Sequence, residues 1–146
     1  MEEALPSPGV RAMKTGPWIG FDLDGTLCHY GEWKGPHHIG EPIKPMVDMA
    51  KAFMRSGIRV KIFTARVGPS GTNYADGTPI DQEYAEKARV AIEAWCVEHL
   101  GEAIEITCEK DFQMMFCFDD RAISVEENTG VVLADLSKMP CTRITG

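Results

Sequence analysis

The sequence predicts an α/β fold, a three-layer sandwich around a central parallel sheet of Rossmann-like kind. Three observations predict it. Short apolar runs at 18–23, 58–63, 103–107 and 114–118 alternate with stretches of helical period. Strands that alternate with helices pair in parallel, because each helix carries the chain back across the sheet. Acids, hydroxyls and cations then fall just after the runs, where they would share one edge of that sheet.

Each element follows from its own signals. Residues 1–16 lack apolar periodicity and contain Pro6, Pro8 and Gly9. They read as a flexible N-terminal tail, with Met13 a second candidate start and 17–146 a single domain. The first strand spans 18–23 and carries Asp22 near its end. Residues 25–44 are rich in Gly and Pro and form a long excursion. Pro45 suits the first turn of a helix, where its missing N–H costs nothing. Met46, Met49, Ala50, Phe53 and Met54 then share one helical face, and Gly57 stops the helix.

"IRVKIF" alternates as a second strand and ends at Thr64. "VGPSGTNYADG" (67–77) is a loop by composition. Thr78, Pro79 and Asp81 read as N-cap, first helical residue and capping acid of a second helix. Ile80, Tyr84, Ala88, Ala91, Ile92 and Trp95 form its apolar stripe, and Gly101 stops it. "AIEIT" (103–107), "MMFCF" (114–118) and "VVLADL" (131–136) complete the strands.

Bulk properties narrow the function. The chain has 146 residues, 44% hydrophobic and 25% charged, the balance of one globular domain. No apolar run approaches the roughly 18 residues of a membrane helix. The opening "MEEALPSPGV" is acidic and lacks the pattern of a secretory signal, so the expected location is cytoplasmic. A net charge of −7 disfavours nonspecific binding to nucleic acid without excluding a local basic site. Cys28, Cys96, Cys108, Cys117 and Cys141 contain no C-x2-C pair and read as reduced thiols.

In open parallel sheets, ligands bind beyond the carboxyl ends of the strands. Those ends carry Asp22 and Asp24, then Thr64-Ala65-Arg66, then Glu109-Lys110, then Asp119-Asp120-Arg121. Converging carboxylates repel and raise one another's pKa unless a cation neutralises them. Mg2+, a hard ion that prefers oxygen, is the expected cofactor. Thr64 offers a hydroxyl and strand-end amides to a phosphate, and Lys110 offers a point charge. One aspartate can attack phosphorus while a second carboxylate moves protons.

"DLDGTL", "IFTAR", Lys110 and "FDDRA" together resemble the four motifs of the haloacid dehalogenase-like (HAD) phosphohydrolase superfamily. The order is the family's and the motifs span most of the chain. The "FTAR…KD…DDRA" arrangement is similar to small members from bacteria and phages. The resemblance implies Asp22 as nucleophile and Asp24 as general acid/base. It implies a metal set drawn from Asp22, Leu23 (through its backbone carbonyl), Asp24, Asp119 and Asp120. It places Thr64, Ala65, Arg66 and Lys110 on the phosphorylated substrate. It also implies that the first and fourth strands are neighbours. Neither gap between motifs is long enough for a cap domain, so the chain reads as capless, which in the family goes with an open site and with macromolecular substrates or closure by a partner.

The expected activity is a Mg2+-dependent phosphatase that cleaves a phosphomonoester through an aspartyl-phosphate. Alternatives are a nucleic-acid end phosphatase or nucleotidase, and a non-catalytic module that binds a phosphorylated ligand. Plainer readings stand beside single residues. Asp22 and Asp24 could cap a turn before Gly25, and Asp119-Asp120 could cap a helix. Lys87 is an alternative cation to Lys110. Arg66 either grips a second anion or pairs with an acid. His29, His37 and His38 read as solvated flap residues, and Trp33 as packing on its own loop.

Overall fold

The computed structural model describes residues 15–139. The expected tail up to residue 14, Met13 and Cys141 lie outside them. Four strands form one all-parallel sheet: β1 (Trp18–Phe21), β2 (Arg59–Phe63), β3 (Glu105–Thr107) and β4 (Met114–Phe118). Their order is β3-β2-β1-β4. Two helices connect them, α1 (Lys44–Arg55) and α2 (Gln82–Leu100).

Period-two alternation divides β1 between two environments. Ile19 and Phe21 enter one cluster with Val47 and Ala50 of α1, Val60 and Ile62 of β2, and Ala88, Ile92, Trp95 and Cys96 of α2. Both helices therefore cover the same face of the sheet. Trp18 and Gly20 alternate to the other face, where Gly20 lies near Cys117 and Phe63 and the Trp18 ring lies 6.5 Å from Phe63. The described residues thus build two of the three expected layers. Burying side chains such as Phe21 and Ile92 contributes about 1.5–3 kcal/mol each.

Several boundaries move from the sequence reading. The buried stripe of α1 uses Val47, while Met49 stays 42% exposed. The N-cap of α2 is Asp81, whose carboxylate accepts the Tyr84 N–H at 2.8 Å. Thr78 and Pro79 precede the helix, and Asn73 and Pro79 form an isolated bridge. A single side-chain bond decides this, because Asp81 caps the residues that begin the helical run. Gly101 ends α2 at φ +92°, as the glycine predicted.

The expected fifth strand is absent among the described residues. Residues 131–133 fold back on 124–126 through a bridge between Val125 and Val132. The chain reverses at Asn128 and Gly130, both at positive φ, so 131–136 meets its own preceding segment rather than β4. Leu136–Lys138 then forms a 3-10 turn capped by Asp135. No helix among the described residues is long and apolar enough to cross a membrane.

Candidate active site at the β1–β4 switch point

The strand order reverses beside β1. The chain adds β2 and β3 on one side and then returns to place β4 on the other. The crevice at such a reversal is where open α/β sheets bind ligands. The Asp22 N–H donates to the Phe118 carbonyl at 2.9 Å, which sets Asp22 beside Asp119 and Asp120 at the carboxyl ends of the two strands. One oxygen from each of these three aspartates lies within 4.8 Å of the others. That spacing and donor set fit a small oxygen-ligated cation such as Mg2+.

Burial pushes the Asp22 carboxyl up to about 8 from its ordinary 3.8. A hydrogen bond with Asp120 adds to this, as do the negative charges of Asp119, Asp120 and Asp24. Three acids on one point favour the neutral form of the most buried one. Thr26 ties the group together. Its hydroxyl lies 3.3 Å from Asp22 Oδ2 and 3.5 Å from Asp120 Oδ1, and its oxygen accepts the Asp120 N–H at 3.2 Å. The sequence reading passed over Thr26. Its signal was present, since it stands four residues after Asp22 in the turn that Gly25 opens at φ +86°.

Asp24 is engaged elsewhere. Arg66 donates to it from Nε at 2.7 Å and from Nη2 at 2.8 Å. Arg66 itself is buried, in the 3-10 turn Ala65–Val67 that follows β2. Its Nη1 reaches the carbonyls of Pro36 at 3.3 Å and Gly35 at 3.5 Å. The guanidinium lies 4.9 Å from the centre of the Trp33 ring, and Trp33 stacks on Tyr74 at 4.4 Å. Trp33 therefore packs across to the 67–77 loop rather than on its own loop. Of the two readings of Arg66, pairing with an acid is the observed one.

Two members of the expected metal set have other partners. The Leu23 carbonyl accepts the N–H groups of Thr26, Leu27 and Cys28 at 3.2, 3.0 and 3.0 Å. That oxygen is thus engaged by three N–H groups of the turn. Asp24 is held by Arg66 and lies outside the three-aspartate group.

Lys110 stands apart from the residues that line the cavity beside Asp22. Successive parallel strands require the chain to return from the carboxyl end of β3 to the amino end of β4. Lys110 lies on that return. Its neighbour Asp111 accepts the Trp18 Nε1–H at 2.9 Å, at the start of β1 and the opposite end from Asp22. Lys110 is exposed and does not line the cavity beside Asp22. Lys87 does not line it either; it pairs with Glu83 on α2.

That cavity has a volume of about 560 Å3. Asp22, Asp24, Thr64, Ala65, Arg66 and Asp119 line it, with Arg121 at its wall. Thr64 is buried, and its oxygen accepts the Arg66 N–H at 3.2 Å. Its own N–H donates to the Thr107 carbonyl, so its hydroxyl proton is what it can offer an anion. Three of the thiols are poor nucleophiles. Burial pushes Cys28, Cys96 and Cys117 up to about 12, and the thiolate is the reactive form.

No protein-family description, curated protein or solved structure matches this chain.

Proposed function

We propose that this chain is a Mg2+-dependent phosphatase of HAD type, acting on a phosphomonoester through an aspartyl-phosphate on Asp22. One observation carries the reading: the carboxylates of Asp22, Asp119 and Asp120 meet at the β1–β4 switch point, beside a cavity that also holds Asp24 and Thr64. The order of "DLDGTL", "IFTAR" and "FDDRA" supports it. Bound Mg2+ would neutralise the three carboxylates and so allow Asp22 to be an anion at neutral pH.

An Asp22 oxygen attacks phosphorus, and the bond from phosphorus to the leaving oxygen breaks. The leaving group takes the electron pair. The Thr64 hydroxyl donates a hydrogen bond to a phosphoryl oxygen. Water then attacks the phosphorus of the acyl phosphate, Asp24 takes a proton from that water, and Asp22 departs as a carboxylate. Thr26 holds Asp22 and Asp120 in register throughout.

The test is turnover of an aryl phosphate by the purified chain with Mg2+, followed by acid quench and intact-mass measurement. Wild type should turn over with Mg2+ and stop with EDTA. Asp24→Asn should carry one phosphoryl group, and Asp22→Asn none. Full turnover in metal-free protein, or an adduct on Asp22→Asn, overturns the reading.

A further inference from the structure

We propose that Arg66 is a positioning residue that fixes Asp24 for the hydrolytic half of the reaction. The inference rests on the phosphatase reading above and adds to it a residue that touches neither phosphorus nor metal.

The geometry is specific. A planar guanidinium that forks both oxygens of a carboxylate fixes the rotamer of that carboxylate as well as its place. Arg66 does this to Asp24 at 2.7 and 2.8 Å. Arg66 is itself held from three segments. Pro36 and Gly35 supply carbonyls, Trp33 supplies a ring face, and the Tyr74 hydroxyl donates to the Arg66 carbonyl at 2.7 Å. Thr64, on the cavity wall, accepts its N–H. The place of Asp24 is thus set jointly by the 33–36 excursion, the 67–77 loop and the end of β2.

This arrangement bears on one step more than the other. An aryl leaving group departs as a stable oxyanion and takes no proton from the protein. Formation of the acyl phosphate from an aryl phosphate therefore depends little on Asp24. Its breakdown depends on Asp24 accepting a proton from water, with an oxygen lone pair aimed at that water while the fork holds the carboxylate. The P–O bond to Asp22 breaks, phosphate leaves, and the proton on Asp24 passes to solvent. Without the fork, Asp24 can rotate away from the water, and general-base help is lost.

The experiment uses Arg66→Lys and Arg66→Gln with an aryl phosphate and Mg2+, beside wild type and Asp24→Asn. Thermal melts establish which variants fold; lysine keeps the charge and loses the fork, so it carries the test if glutamine does not fold. The expected result is accumulation of the acid-stable phosphoryl adduct on the Arg66 variants, as on Asp24→Asn, with kcat down roughly 100-fold, KM down with it and kcat/KM little changed. A folded Arg66→Lys with no adduct and wild-type kcat overturns the proposal. So does equal slowing of adduct formation and breakdown, which is the mark of a purely structural role. Absence of turnover in wild type and of adduct in Asp24→Asn overturns the phosphatase reading, and this inference with it. Turnover in wild type with an adduct on Asp24→Asn alone overturns the Arg66 assignment and leaves that reading standing.

Discussion

Arg66 donates to both carboxylate oxygens of Asp24, at 2.7 and 2.8 Å, across 42 residues of sequence. The pair joins the end of β1 to the end of β2. Arg66 is 5% exposed and Asp24 22%, so water screens their attraction weakly.

Removing one partner should leave a charge stranded in that site. Arg66→Met is expected to destabilise the fold by about 3 kcal/mol, the scale for breaking a buried pair. Adding Asp24→Asn should recover part of the loss, giving a coupling of about 1–3 kcal/mol in a double-mutant cycle. Denaturant unfolding of the four proteins measures it. Additive losses would show that the fork contributes no pairwise energy.

The three-aspartate group should make stability depend on pH. Asp22 titrates at about 8 in the fold against 3.8 ordinarily. Between those values the folded chain holds a proton that the unfolded chain has released. The stabilisation is complete below about 4 and is lost as pH rises to about 8, by at most about 1.4 kcal/mol per pH unit. Metal-free protein should melt at a lower temperature at pH 8 than at pH 5. Mg2+ should raise the melting temperature more at pH 8 than at pH 5, because it displaces a proton from a smaller share of Asp22. An unchanged pH slope in Asp22→Asn would assign the dependence to other groups.

Thr26 is buried and its oxygen serves both Asp22 and Asp120. Thr26→Val keeps the shape and removes the hydroxyl. The Asp120 N–H then loses its acceptor, which costs about 1–3 kcal/mol when the group is shielded from water. Thr26→Ser should restore most of the stability and of the aryl phosphate kcat. Equal melting temperatures for wild type and Thr26→Val would show that the bridge is energetically idle.

The strands were legible because their apolar runs are short, β-branched or aromatic, and bounded by glycine and polar residues. "MMFCF" became β4 with the expected bounds, and "IRVKIF" became β2 less its first residue. The aspartates at the switch point were legible for the same reason: a strand end fixes where the next residues stand. "VVLADL" was misread because its pattern is strand-like, while the reversal at Asn128 and Gly130 decides what it meets. The Arg66 fork was only half legible. Sequence offers Asp24 and Arg66 as opposite charges, but not that Trp33 and Tyr74 would wall the guanidinium in. The Leu23 carbonyl was out of reach, since turn hydrogen bonds depend on backbone angles that the residue names leave open.

Lys110 gives the sharpest conflict between motif and geometry. Its place in the motif order assigns it to the phosphoryl group. Its place in the chain puts it beside Asp111, which is bonded to Trp18 at the far end of β1. Arg121 stands on the cavity wall with Asp22 and Asp119, two residues after Asp119. On the phosphatase reading, Arg121 is therefore the cation to test beside Lys110. Lys110→Ala should leave kcat/KM for an aryl phosphate within about twofold, the usual scale for an exposed substitution away from a site. Arg121→Ala should lower kcat/KM about three- to tenfold through KM, because an exposed cation on a dianion adds about 1 kcal/mol. Initial rates at several substrate concentrations, with Mg2+ fixed, separate the two. A 100-fold loss in Lys110→Ala with Arg121→Ala unaffected would mean that the 108–113 connection carries Lys110 to the phosphoryl group during turnover, and the motif order would then outrank the resting geometry.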